Sequence, residues 1–133
     1  MTRFVIDAPT LLHLVAGDVR VAPEHQLVAP NLLRSQALAL LFCDVRDGRL
    51  TEHAALDRHE ELTQVKVRLL GDRVSRRVAW QIAQELGLDS TVDAEYLAVT
   101  RLQADALVTI DPGLAAKARD LVPVAPLAAL TEN

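Results

Sequence analysis

Two aspartates follow segments that have the apolar character of buried strands. Asp7 comes directly after Phe-Val-Ile, and Asp111 comes directly after Ala-Leu-Val-Thr-Ile. Proline follows each aspartate within two residues, so each could simply cap the helix that comes next. Because the carboxyl ends of parallel strands meet at one edge of a sheet, the two carboxylates could also converge there. Converging carboxylates could hold a hard cation, which prefers oxygen ligands.

A third aspartate, Asp93, opens a predicted helix in the segment Ser-Thr-Val-Asp-Ala-Glu. Ser90 stands three residues before it, in the spacing of a capping box. Asp93 either belongs to that cap or faces the edge of the sheet. Glu95 is two residues further on and points to a different side of the helix. It is therefore predicted to be a peripheral member of any site.

Gln36 is the unusual residue of a predicted long helix. It shares one helical stripe with apolar neighbours, namely Leu32, Ala39, Leu40 and Cys43. An amide that points inward needs a hydrogen-bond partner. Gln36 is predicted either to bond to the backbone or to face the same cleft as the acids.

The elements that position these residues alternate between strands and helices along the chain. The strands Phe-Val-Ile and Ala-Leu-Val-Thr-Ile are continuously apolar, which predicts a parallel sheet covered by helices on both faces. We expect four or five strands, the last in Leu-Val-Pro-Val-Ala-Pro-Leu. Two further helices are predicted over residues 31–50 and 51–64, and together they would form an appended helical hairpin. Asn31 is the predicted N-cap of the first of them. The length of 133 residues indicates a single domain over 1–133.

Composition excludes several classes of protein. The single cysteine, Cys43, allows neither an internal disulfide nor a cysteine zinc cluster. The four histidines lack metal-binding spacing, and the motifs of serine hydrolases, P-loop proteins and dinucleotide-binding proteins are absent. A phosphoacceptor receiver domain would need adjacent acids early in the chain and a lysine directly after a late strand, and neither is present. A haloacid-dehalogenase-type phosphatase would need a second aspartate where Pro9 stands. With no apolar run of membrane-spanning length and no signal peptide, we expect a cytoplasmic protein.

The formal net charge of −4 does not indicate a uniformly basic nucleic-acid binder. Basic residues nevertheless gather between residues 64 and 80, where they could contact phosphates or form a solvated surface. They are Lys66, Arg68, Arg73, Arg76 and Arg77.

Three blocks of the chain together resemble a PIN domain, and specifically the VapC-type toxins of toxin–antitoxin pairs. The blocks are "FVIDAPTLLHL", "APNLLRSQALALL" and "STVDAEYLAVTRLQADALVTIDPGLAAKA". The resemblance covers nearly the whole chain, and the last block is the most specific part. It implies a three-layer α/β/α fold whose acids bind Mg²⁺ or Mn²⁺ at the carboxyl ends of the strands.

The resemblance assigns metal-binding and catalytic roles to three residues, Asp7, Asp93 and Asp111, and places Thr109 in the family's "LVT" stretch. The family usually has a glutamate where this chain has Gln36, which is the fourth predicted site residue. An amide oxygen can still ligate or position a water, but it carries no charge and cannot act as a general base. Glu95 could compensate through a bridging water.

The resemblance implies a metal-dependent endoribonuclease, the toxin of a VapBC-like pair, that cleaves RNA at its acidic site. Transfer RNA and ribosomal RNA are the expected substrate classes. A VapB-like antitoxin and a second copy of the chain are the expected partners, and no membrane is involved. The alternative, favoured by Gln36, is a weakened or inactive PIN-like protein that binds an antitoxin or another partner.

Overall fold

The fold consists of a parallel sheet whose strands alternate with helices, seen in a computed structural model that describes residues 1–132. The strands are β1 (Thr2–Ile6), β2 (His25–Pro30), β3 (Val67–Leu70) and β4 (Ala106–Val108). The helices are α1 (Ala8–Ala16), α2 (Leu33–Arg46), α3 (Glu52–Thr63), α4 (Arg73–Leu86), α5 (Val92–Gln103) and α6 (Pro112–Ala118). A 3₁₀ turn follows at Leu127–Leu130.

The sheet has the strand order β3-β2-β1-β4, and all of its neighbouring strands run parallel. In β1 and β4 the residues Val5, Ile6, Leu107 and Val108 have no exposed surface. Strands buried on both faces are continuously apolar because neither face can carry a polar residue. The predicted three-layer α/β/α fold is confirmed, and it brings the ends of β1 and β4 side by side.

Helices cover the sheet in two groups. Helix α1 packs with the pair α2 and α3, and α4 packs with α5, which also lies against β1 and β2. Helix α4 ends at Gly87 in the left-handed conformation (φ 64°), which glycine adopts without steric cost. None of the helices formed by residues 1–132 has the length and apolar character needed to span a lipid bilayer.

Two local predictions are wrong. The predicted fifth strand is reduced to one bridge between Leu107 and Val124, because prolines on both sides of Val124 remove ladder donors. Asn31 does not cap α2, whose N-cap is Leu32 without a side-chain bond. The amide of Asn31 lies instead against Gly71, so closely that a Cβ at Gly71 would come within 2.6 Å of its nitrogen.

Candidate functional site

Asp7 is held at the carboxyl end of β1 by hydrogen bonds to both carboxylate oxygens. Its Oδ1 accepts from the backbone N–H of Thr10 at 3.3 Å and from the Thr10 hydroxyl, and thus caps α1. Its Oδ2 accepts from the hydroxyl of Thr109 at 2.7 Å. The predicted cap is confirmed, but the Thr109 bond also aligns the carboxylate with the end of β4.

Burial distinguishes Asp7 from the other acids of the chain. It is 3% exposed, and within residues 1–132 it is the one charged side chain that is buried. Loss of hydration raises its pKa, and the hydrogen bonds from Thr10 and Thr109 only partly oppose that rise. No ion pair joins Asp7 to another residue in the described part of the chain. Asp7 is therefore a desolvated carboxylate with no ion-pair partner in the described part of the chain.

Two threonines connect the ends of β1 and β4. Thr109 Oγ1 accepts from the backbone N–H of Asp111 at 3.0 Å, and Thr10 Oγ1 accepts from the N–H of Ile110 at 3.0 Å. The side chain of Asp111 accepts from Gly113 N–H at 3.0 Å, which confirms it as the N-cap of α6. Asp7 and Asp111 therefore lie on adjacent strand ends, joined through the hydroxyl of Thr109.

Asp93 is paired with a lysine that sequence reasoning did not single out. Lys117 Nζ of α6 lies 2.6 Å from Asp93 Oδ2, and both side chains are about one-third exposed. This hydrogen bond raises the pKa of Lys117. The predicted capping box is wrong, because α5 starts after Thr91 without a side-chain cap and Asp93 is turned toward Lys117. Its carboxylate thus already has a counter-ion.

Gln36 faces the same region as the acids through Tyr96. The hydroxyl of Tyr96 donates to Gln36 Oε1 at 2.7 Å. The buried stripe of α2 consists of Leu33, Ala37 and Leu41, one residue away from the predicted stripe, so Gln36 is partly exposed. The prediction of a backbone partner is wrong, since a side chain from α5 supplies the bond. Burial and the nearby charge of Asp7 raise the pKa of Tyr96, which keeps its hydroxyl protonated and able to donate.

Glu95 lies at the periphery of this group. Its partial burial raises its pKa, and the nearby charge of Arg76 opposes the rise. This places the guanidinium of Arg76, on α4, within electrostatic reach of the first turn of α5. Glu95 therefore has a cationic neighbour on α4.

The side chains as they stand do not form a ready metal cage. Within residues 1–132, no three His, Cys, Asp or Glu side chains are close enough together to hold a metal ion. Two of the predicted ligands are already engaged, because Asp111 bonds to the start of α6 and Asp93 bonds to Lys117. A cleft of about 850 Å³ opens elsewhere, at the amino edge of the sheet beside His25 and Lys66, and no predicted site residue lines it.

Three side chains of the site were identified only in the structure, and they are Thr10, Tyr96 and Lys117. Thr10 had a usable signal, since it stands three residues after Asp7, where a hydroxyl can reach back to a capping carboxylate. Tyr96 stands three residues after Asp93 and shares its helix face. Lys117 had no local signal, because 24 residues separate it from Asp93.

Comparisons with known proteins bear on the fold. No family model and no curated protein matches the chain. The chain is similar to the crystal structure of PAE2754 from Pyrobaculum aerophilum, with a TM-score of 0.71 and 26% sequence identity. The match covers 97% of this chain and 93% of that chain, so the two share the α/β architecture over nearly their whole lengths.

Proposed function

We propose that the protein is a metal-dependent endoribonuclease that cleaves RNA at the acidic group formed by Asp7, Asp93 and Asp111. The observation that carries the proposal is Asp7. Burying a carboxylate costs free energy, and no lysine, arginine or histidine of the described chain is paired with it. A buried acid at a strand end, raised in pKa and fixed by two hydroxyls, is typical of a functional position.

The donor set fits a hard divalent cation such as Mg²⁺ or Mn²⁺, which takes oxygen ligands and keeps several waters. Asp7, Asp93 and Asp111 would hold it once the contact between Asp93 and Lys117 opens. When bound, such a cation supplies positive charge for the phosphodiester and lowers the pKa of a bound water. The chain's own residues orient the group: Thr10 and Thr109 fix the Asp7 carboxylate, and Tyr96 fixes the amide of Gln36.

The first test is cleavage of total transfer RNA and ribosomal RNA by the purified protein. We expect cleavage with Mn²⁺ or Mg²⁺, none with EDTA, and recovery when the metal is added back in excess. The products are resolved on denaturing gels, which detect internal cuts directly. Cleavage that persists in EDTA would contradict the proposal, as would intact RNA at saturating Mn²⁺ with a protein shown to bind the metal.

Lys117 is expected to compete with metal for Asp93. Replacing it by methionine (Lys117→Met) removes the ammonium that neutralises Asp93, so Mn²⁺ should bind about five- to tenfold more tightly. That range corresponds to about 1–1.4 kcal/mol, which begins at the upper value for exposed ion pairs and exceeds it because this pair is partly buried. Isothermal titration calorimetry on the metal-free protein measures this affinity without reference to cleavage.

The chain contains a matched control, because its other lysine, Lys66, is exposed at the start of β3 on the far edge of the sheet. Lys66→Met removes the same charge and should leave the Mn²⁺ affinity unchanged. Lys117→Arg keeps the positive charge and should bind Mn²⁺ like the native protein. Equal affinities for Lys117→Met and the native protein would show that Lys117 does not compete with the metal.

A second candidate function is a PIN-like protein that binds an antitoxin or another partner without cleaving RNA. Gln36 favours it, since a neutral amide stands where the resemblance expects a glutamate, and Lys117 already neutralises Asp93. The cleavage test separates the two functions. The VapB-like antitoxin and the homodimer are predictions that follow from the resemblance, the cytoplasmic location is a prediction from the sequence pattern, and all three are common to both functions.

A further inference from the structure

Helix α4 presents a tryptophan to solvent. Trp80 is 62% exposed and is the one tryptophan of the chain. The buried side of α4 is formed by Ser75, Ala79, Ile82 and Ala83. The indole therefore projects from the side of α4 that the rest of the chain leaves uncovered. A large exposed aromatic ring is a marker of an interaction surface.

Three arginines precede this ring on the same helix. Arg76 and Arg77 lie one turn before Trp80, and Arg73 lies two turns before it, all three exposed. No acidic residue occurs between Arg73 and Gln84, and no ion pair holds any of the three arginines within residues 1–132. We call Arg73, Arg76, Arg77 and Trp80 the arginine–tryptophan surface.

The arginine–tryptophan surface begins at the edge of the sheet where the acidic group lies. Helix α4 begins three residues after β3 ends, so Arg73 and Arg76 lie near the carboxyl edge of the sheet, the same edge as Asp7. Arg76 is also within electrostatic reach of Glu95 in the first turn of α5. A ligand lying along α4 would therefore lead toward the acids.

We propose that the arginine–tryptophan surface binds single-stranded RNA, with a base stacked on Trp80 and the arginines on phosphates. Aromatic stacking with flanking cations is how proteins hold unpaired strands without reading their sequence. The unpaired positive charge favours a polyanion over a second copy of the chain, which would place like charges together across the contact. The inference rests on RNA as the proposed substrate, but it does not depend on cleavage.

The test uses the fluorescence of Trp80, which no other tryptophan obscures. Single-stranded oligonucleotides of about 12 nucleotides are titrated into the full chain in EDTA, so that no metal-dependent cleavage occurs. We expect saturable quenching, with weaker quenching by an RNA duplex of the same length. Anisotropy of a labelled oligonucleotide then measures affinity for the variants, including those without tryptophan.

Trp80→Ala should weaken binding about 5- to 150-fold, the range for one stacked base, whereas Trp80→Phe should retain most of the affinity. The double variant Arg73→Gln/Arg77→Gln should reduce the slope of log affinity against log salt by about 1.4, at about 0.7 per phosphate contact. Phe42→Ala is the matched control, since Phe42 of α2 is 71% exposed but lies outside this surface. It should bind RNA like the native protein.

Unchanged affinity in Trp80→Ala, or quenching that does not saturate, would overturn the inference. So would sedimentation showing a dimer that Trp80→Ala dissociates and RNA does not, because a second copy would then cover the ring. Binding that depends on Trp80 in a protein that never cleaves RNA would support the surface and refute only the nuclease. Metal-dependent cleavage together with normal RNA affinity in Trp80→Ala would support the nuclease and refute only the surface.

Discussion

Replacing Asp7 with asparagine is expected to reduce metal-dependent RNA cleavage by about 10²–10³-fold. The substitution keeps the size of the side chain and removes the negative charge that a cation at this position requires. A contribution of roughly 3–4 kcal/mol from metal to the reaction corresponds to that factor in rate. Single-turnover cleavage of a labelled RNA at saturating Mn²⁺ measures the loss.

The same variant should fold at least as stably as the native protein at neutral pH. Oδ1 of asparagine can still accept from Thr10, its amide nitrogen can donate to the oxygen of Thr109, and the burial of an unpaired charge is relieved. Since burial raises the pKa of Asp7 above its usual 3.8, the metal-free native protein should lose stability as pH rises from about 3.8 through the raised value. Asp7→Asn should remove this part of the pH dependence.

Asp57→Asn is the control, because Asp57 is exposed on α3 and pairs with the exposed His53. It should leave both the cleavage rate and the pH dependence of the unfolding free energy unchanged. An Asp7→Asn protein that unfolds at markedly lower temperature would contradict the expected relief of a buried charge and would show that the carboxylate stabilises the fold. Full cleavage activity in a stable Asp7→Asn protein would contradict its place in the site.

Changing Gln36 to glutamate is expected to increase the Mn²⁺ affinity about tenfold and to accelerate cleavage. The new carboxylate would keep the hydrogen bond from Tyr96 and add a negative charge on the side of the acids. Unit charges about 4 Å apart interact by about 4 kcal/mol near a protein surface, and partial loss of hydration leaves about 1.4 kcal/mol as a reasonable net gain. Calorimetry and the cleavage assay measure the two effects separately.

Without metal, Gln36→Glu is expected to destabilise the protein, because its new carboxylate would repel Asp7 across the shared neighbour Tyr96. This variant should therefore melt at lower temperature than the native protein in EDTA and gain more from added Mn²⁺. Gln64→Glu places the same charge at the far edge of the sheet and should show neither change. If Gln36→Glu binds Mn²⁺ no better than the native protein, Gln36 lies outside the metal site.

The fold was largely predictable from local patterns. Continuous apolar runs at β1 and β4, separated by amphipathic segments, indicate strands buried between helices, and the sheet is indeed wholly parallel. The aspartates after those runs were predictable as helix caps, because proline in the next turn marks the start of a helix. One error arose where a neighbour distant in sequence competes, and the other arose from prolines within the segment itself. Asn31 contacts Gly71 instead of capping α2, and the prolines beside Val124 reduce the last strand to a bridge.

The sequence by itself determined which residues place a negative charge at the carboxyl edge of the sheet, namely Asp7 and Asp111. Their positions follow from the sequence because each aspartate comes directly after an apolar run, which puts it at the carboxyl end of a buried strand. Only the tertiary structure decided the contacts between separate elements: Thr109 on Asp7, Lys117 on Asp93 and Tyr96 on Gln36. These pairs join residues up to 102 positions apart. Their formation depends on how α5 and α6 pack against the sheet, because no local rule of spacing relates side chains on separate elements.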